Sequence, residues 1–279
     1  MDYKEIDDKT LKILHKEGLE ILKEIDRVCQ KYDIPYFLCG GTLIGVMRHK
    51  GFIPWDDDID VGMLRKDYEK FQKCFIKEHS KEYFLQSIET EPDYWLSFMK
   101  IRKNNTTFIE GITADLDIHH GIYVDIFPFD EVPDNGFDKK LKLRAMLIKV
   151  IKDTIYVKKK LIKYSETRRT IFCRLFSIFS VKKLFKIQKK LMTKYENKGY
   201  KHCICYIGTY PTSREYIAID TIYPVKKGLF EKEEFSIPNT PEVYLTNLYG
   251  DFMKLPPKDK RRNHAAVKID FKKGTSKRN

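Results

Sequence analysis

The chain has 279 residues and a net charge of +13, with 42% hydrophobic and 13% aromatic side chains. That is enough apolar material for one large packed domain or two small ones, and it excludes a disordered chain. No long apolar run is free of charge and Met1 to Lys12 lacks a signal-type apolar stretch, so neither a transmembrane helix nor a secretory leader is expected, and the protein reads as cytoplasmic.

Residues 5–31 carry Ile6, Leu11, Leu14, Leu19, Leu22, Ile25 and Val28 at helical spacing, and Asp33-Ile34-Pro35 ends that helix. Tyr36 to Cys39 is short, aromatic and apolar, as a buried strand is. Gly40-Gly41 follows, and Thr42 is placed to cap a helix over Leu43 to Arg48. A loop with Gly51, Pro54 and three consecutive aspartates leads into Asp58-Ile59-Asp60-Val61-Gly62, whose alternation predicts a half-buried strand. A helix is expected over 65–79 and strands over 83–88, 95–102, 106–110 and 121–127. From about 138 to 197 the pattern is helical and basic. Prolines at 211, 224, 238, 241, 256 and 257 break the last part into short elements, and Lys272 to Asn279 reads as a solvated tail. The pattern predicts an α+β fold, with a catalytic body at 1–137 and 202–279 and a basic helical insertion at 138–201.

The chemistry concentrates in carboxylates. Asp58 and Asp60, two apart on a strand, point to one face with Cα atoms roughly 6.6 Å apart, while Ile59 and Val61 point to the other. Two such carboxylates repel unless a cation joins them, and Mg²⁺ or Mn²⁺ prefers these oxygens. Asp125 is a lone acid between Val124 and Ile126, costly unless paired or liganded. Gly40 and Gly41 allow close backbone approach, and the helix start behind them suits a phosphate, with Arg48, His49 and Lys50 just beyond. Asp56 and Asp57 read either as turn residues or as groups supporting the ligands. Six scattered cysteines include Cys203 and Cys205 beside His202; without a second cluster they read as reduced, packed thiols rather than a zinc site.

The run Gly40-Gly-Thr-Leu-Ile-Gly-Val-Met-Arg-His-Lys-Gly-Phe-Ile-Pro-Trp-Asp-Asp-Asp-Ile-Asp-Val-Gly62 strongly resembles the LicD family, which includes bacterial phosphocholine transferases and is related to fukutin-type proteins. Lys100-Ile-Arg102, His120 to Pro128 and Leu248 to Pro257 agree with it. The resemblance covers roughly 20–130 and 205–265 and leaves the basic middle unmatched. It implies a nucleotidyltransferase-like fold of the polymerase-β type, with a mixed sheet flanked by helices. It also implies transfer of a phospho-alcohol, typically phosphocholine from CDP-choline, to a cell-envelope glycan such as teichoic acid or lipopolysaccharide. Asp58, Asp60 and Asp125 would match the metal-binding catalytic acids, and Gly40, Gly41 and Thr42 the phosphate-binding turn.

On that reading Asp125 is either a metal ligand or the acceptor of the sugar proton. Arg48, Lys100 and Arg102 are candidates to hold phosphates; Lys100 and Arg102 share a strand face, which is otherwise simply an exposed one. A choline head calls for aromatic faces, with Trp55 first and Tyr94 and Trp95 behind it, although Trp55 also suits a loop anchor. His120 and His264 are auxiliary candidates as acid, base or phosphate donor.

Residues 139–201 hold 21 Lys or Arg against three acids, so the basicity belongs to this segment. Its interspersed Leu, Ile and Phe suit peripheral contact with an anionic membrane, where a lipid-linked glycan acceptor would be found; the bland alternative is a solvated lysine-rich face. No nucleic-acid motif accompanies it, and no nucleic-acid partner is expected. Two other functions compete: a true nucleotidyltransferase that moves NMP, and a non-catalytic membrane- or RNA-binding protein that keeps the fold.

Overall fold

The computed structural model describes residues 6–163, 169–264 and 266–271; the expected tail from Lys272 lies outside them. A first helix, α1 (Asp8–Lys31), is opened by Asp7, whose carboxylate accepts from the backbone N–H groups of Lys9 and Thr10. Leu11, Leu14, Ile21, Leu22, Ile25 and Val28 form its buried face, which packs on the central sheet. The sheet is built from β1 (Phe37–Leu38), β2 (Asp60–Leu64), β3 (Tyr83–Gln86), β4 (Met99–Lys103) and the long β6 (Tyr123–Val132), in the order β1-β2-β6-β4-β3. β2 runs parallel to β6, and the other pairings are antiparallel. β7 (His202–Ile204) pairs with the far end of β6, and β8 (Tyr216–Ala218) with β7.

Helix α2 (Gly40–His49) joins β1 to β2, and α3 (Arg65–Lys77) follows β2. β5 (Thr107–Glu110) stands off the sheet and pairs with β11 (Ala266–Asp270), while β9 (Lys226–Phe230) and β10 (Glu233–Ile237) form a hairpin. Short α7 (Ile219–Ile222) and α8 (Pro241–Tyr249) complete the body. The architecture is mixed α+β, a mixed sheet flanked by helices.

The basic middle is helical as expected: α4 (Lys139–Lys158), α5 (Thr170–Phe176) and α6 (Val181–Met192). It is not detached. Ile151, Ile155, Leu184 and Phe185 pack with Tyr94 and Trp95, and Leu141, Ile148 and Met192 pack with Val132, Ile204 and Tyr206. Arg65 and Asp130 form a buried bidentate ion pair at 2.7 and 3.0 Å, at the end of β6 where α3 begins. Cys203 and Cys205 are buried core thiols.

Two local expectations differ. The strand holding Asp60 starts at Asp60 itself, so Asp58 lies in the loop before it. Thr42 does not cap α2, which begins at Gly40. Its hydroxyl instead accepts the Asp60 backbone N–H at 2.8 Å and ties the helix start to the strand. A hydroxyl four residues past β1 suits both roles, and only the position of β2 decides between them.

Candidate active site

Strand register builds the centre of the site. Asp60 on β2 lies opposite Asp125 on β6, and Asp125 lies opposite Lys100 on β4. Neighbours across a sheet share a face, so one row of charged side chains crosses three strands. Val61, Val124, Ile126 and Ile101 alternate with them and are fully buried in the core. Lys100 Nζ is 2.7 Å from Asp125 Oδ1 and 3.4 Å from the centre of the Tyr123 ring. Burial raises the Asp125 carboxyl to about 6, against the pull of Lys100.

The glycine pair has a specific task. Gly40 has φ +56°, and a Cβ there would lie 2.4 Å from Asp60 Oδ2. A Cβ at Gly41 would lie 2.7 Å from Asp56 Oδ2. The two glycines therefore make room for carboxylates at the start of α2. His15 Nε2 lies 2.7 Å from the Asp56 carbonyl oxygen and anchors the loop. His264, arriving just before β11, meets the same loop: its backbone N–H and Nδ1 lie 3.0 and 2.9 Å from Asp57 Oδ1, and Nδ1 is 3.6 Å from Asp58 Oδ2. The hydrogen bond to Asp57 holds the His264 imidazolium up to about 10.

A pocket of about 450 Å³ opens on this centre. One wall carries Gly40, Gly41, Asp56, Asp58, Asp60, Asp125 and His264. The lining also includes Phe98, Phe127, Tyr156, Tyr210, Tyr244 and Tyr249, with Glu215 and Lys152. Burial raises the Asp60 carboxyl well above the usual carboxylate range, and the Asp58, Asp125 and Asp56 charges push it further. Asp56 reaches about 8, through burial and then the Asp58 and Asp57 charges.

The donor chemistry fits a hard divalent cation, because a cation removes the mutual repulsion of Asp58, Asp60 and Asp125. Among the described residues no three His, Cys, Asp or Glu side chains form a finished metal cage. Mg²⁺ usually takes one or two carboxylates and completes its shell with waters and substrate phosphates.

Other expected residues sit elsewhere. Arg102 is 1% exposed, with Nε on Gln86 Oε1 and Nη1 donating to the Gly121 carbonyl at 2.6 Å. It fastens β4 to its surroundings and does not line the pocket. Lys100 does not line the pocket; it pairs with Asp125, and its charge also opposes the rise that burial gives the Asp58 carboxyl. Arg48 donates to the Phe252 carbonyl at 3.0 Å and to His49 Nε2, holding the segment after α8. Trp55 lies under the Arg261 guanidinium, 5.0 Å from its ring centre, outside the pocket. Tyr94 and Trp95 are core residues under α4 and α6. His120 Nε2 lies 3.1 Å from the Leu116 carbonyl oxygen.

Glu215, Lys152, Tyr156, Tyr210 and Tyr249 also line the pocket, and no sequence signal marks them. Tyr156 and Lys152 are four apart on α4, which is one helix face, but nothing in the sequence says that this face meets the aspartates. Glu215 and Tyr210 lie among short proline-bounded elements with no periodicity to read.

A profile described as "LicD/FKTN/FKRP, nucleotidyltransferase domain" matches residues 33–154. The lipopolysaccharide cholinephosphotransferase LicD of Haemophilus influenzae is 31% identical over 256 residues, 88% of this chain and 92% of its own length. The ribitol-5-phosphate transferase FKTN of Mus musculus is 32% identical over 66 residues, 23% of this chain and 14% of its own. An uncharacterized protein of Rickettsia typhi is 37% identical over 68 residues, 23% of this chain and 22% of its own. Likeness over nearly the whole length of the Haemophilus protein, joined to the match over the segment that holds the aspartates, places this chain in the LicD family.

Proposed function

We propose that the protein transfers phosphocholine from CDP-choline to a hydroxyl of a cell-envelope glycan, in a nucleotidyltransferase-like body of the polymerase-β type formed by 1–137 and 202–279. The observation that carries this reading is that Asp60 and Asp125, in register on neighbouring strands, face one pocket with Asp58 and the Gly40–Gly41 helix start, while Lys100 backs Asp125. The Haemophilus relative, named for the same group transfer, supports it.

Asp58 and Asp60 would hold Mg²⁺ or Mn²⁺. Bound there, the ion supplies positive charge against the diphosphate oxygens and the leaving CMP. The glycan hydroxyl oxygen attacks the choline-bearing phosphorus in line, the bond from that phosphorus to the bridging oxygen breaks, and CMP leaves with the electron pair. Asp125 takes the hydroxyl proton. Lys100 fixes its carboxylate, and burial brings its pKa to about 6, nearer neutrality than a free aspartate. Lys152 and His264 are the basic side chains on the pocket wall among the described residues, and they face the phosphates in this scheme.

The insertion 138–201 supplies the approach to the acceptor. Ile171 and Ile178 are 74% and 79% exposed, with Phe172 and Leu175 beside them, on and just after α5. An apolar ridge within a strongly basic segment suits an anionic bilayer carrying a lipid-linked glycan. Among the described residues no helix is long and apolar enough to cross a membrane.

The test is calorimetry with CDP-choline, CDP-ethanolamine, CDP-glycerol, CDP-ribitol and CTP, with and without Mg²⁺, on wild type and Asp60→Ala. Mg²⁺-dependent binding of CDP-choline that is lost in the variant is the expected result. Tight binding of CTP alone, with pyrophosphate release, overturns it.

A further inference from the structure

Glu215 is 6% exposed and lies on the pocket wall, away from the aspartate row in sequence and on a different element. Among the described residues its carboxylate has no hydrogen-bond or ion-pair partner. Lys149 on α4 is the cation whose field reaches it, but it makes no ion pair with it. A carboxylate this buried and without a protein partner either holds a proton or is completed by a cationic ligand. The position is built rather than incidental. A Cβ at Gly208 would fall 2.3 Å from Glu215 Oε1, so the glycine is what lets the carboxylate occupy its place.

The surroundings narrow the ligand. Tyr210 and Tyr249 stand edge to face, with ring centres 4.8 Å apart. With Tyr244, Tyr156 and Phe98 they line the pocket that also holds Glu215. A polyol head group would need many hydrogen-bonding partners, which aromatic faces do not offer. A primary ammonium would be satisfied by one carboxylate but would leave its remaining N–H donors facing rings. A quaternary ammonium donates no hydrogen bond, carries its charge under methyl groups, and is attracted by both aromatic faces and a carboxylate.

We propose that Glu215, held in place by the space at Gly208 and framed by Tyr210 and Tyr249, receives the trimethylammonium group of the donor and selects choline over other alcohols. This assignment rests on the transferase reading above and adds to it the residue that reads the head group. The donor then spans the pocket, with its diphosphate at Asp58 and Asp60 and its cationic end at Glu215. Glu215 binds and selects, and no covalent step passes through it.

The experiment titrates wild type, Glu215→Gln and Gly208→Val with CDP-choline, CDP-glycerol and CDP in Mg²⁺ by calorimetry. It also records the shift in thermal midpoint given by choline chloride alone. Glu215→Gln keeps the shape and removes only the capacity to carry a negative charge against a bound cation, and circular dichroism checks that it folds. Both variants are expected to lose about tenfold or more in CDP-choline affinity while CDP binding stays unchanged. Choline alone is expected to stabilise wild type and not Glu215→Gln. Unchanged CDP-choline affinity in Glu215→Gln overturns the assignment, as does an equal loss for CDP. Tighter wild-type binding of CDP-glycerol than of CDP-choline also overturns it. If no CDP-alcohol binds while choline stabilises wild type alone, the transferase reading has failed and the cation site stands.

Discussion

Lys100 and Asp125 face each other in register across β4 and β6, and their side chains meet at 2.7 Å under the Tyr123 ring. Both are almost fully buried, so neither charge is tolerable without the other. Lys100→Met should lower the unfolding free energy by about 3–5 kcal/mol, the usual cost of stranding one member of a buried pair. Adding Asp125→Asn should recover much of that loss while leaving the enzyme inactive. Urea titrations of the two single variants and the double variant measure the coupling directly.

Gly40 is the second point of leverage. Alanine there must accept φ +56° and meet Asp60 Oδ2 at 2.4 Å. Gly40→Ala is expected to cost roughly 1–2 kcal/mol of stability through the backbone. Its effect on transfer should be far larger, about a hundredfold, because Asp60 is displaced from the cation it would hold. CMP release at saturating donor, set beside an unfolding curve, separates the two effects.

Glu215 should leave a signature in the free protein. Burial lifts its carboxyl from 4.5 to about 8, and Lys149 on α4 opposes this only in part. The other titratable groups around it are Cys39, Cys203, Cys205, Tyr210, Tyr244 and Tyr249, whose own pKa values are pushed up in turn. The folded state then holds the proton more tightly than the unfolded one. Stability is full below about pH 4.5 and declines as pH rises toward 8. Thermal midpoints at about pH 5 and pH 8 should fall further apart in wild type than in Glu215→Gln, which has no such proton to lose.

The exposed ridge on and after α5 predicts membrane behaviour. Phe172→Asp with Ile178→Asp should reduce binding to phosphatidylglycerol vesicles about tenfold or more, without altering CDP-choline affinity in solution. Vesicles of phosphatidylcholine alone should bind wild type weakly, and added salt should weaken binding to anionic ones. Co-sedimentation reads all three.

The acids were legible because period-2 alternation is a strong signal. Asp60 and Asp125 stand between Val and Ile residues that can only face a core, and both lie on strands, although the first strand begins at Asp60 and leaves Asp58 in the loop and the second runs on to Val132. His264 was legible as a candidate, although its partner Asp57 lies 207 residues away. Lys100 and Arg102 share a face as their spacing required, yet one pairs with Asp125 and the other with Gln86 and Gly121. Spacing sets the face of a side chain, whereas the neighbouring strand sets its partner. Tyr94 and Trp95 could not be told from ligand-facing aromatics, because the helices that cover them come from a segment that carries no motif. Lys152 and Tyr156 were hidden for the same reason: the helix that joins the pocket lies in the stretch whose composition spoke only of charge.

The contact of His264 with Asp57 also orders events in time. A growing chain leaves the ribosome with its aspartates, glycines and central strands long before residue 264 emerges. The β5 edge waits for β11, and the Asp56–Asp58 loop waits for its imidazolium. Until residue 264 has emerged, the Asp56–Asp58 loop of a nascent chain lacks its imidazolium, so this loop is completed later than the sheet row in which Lys100 already answers Asp125.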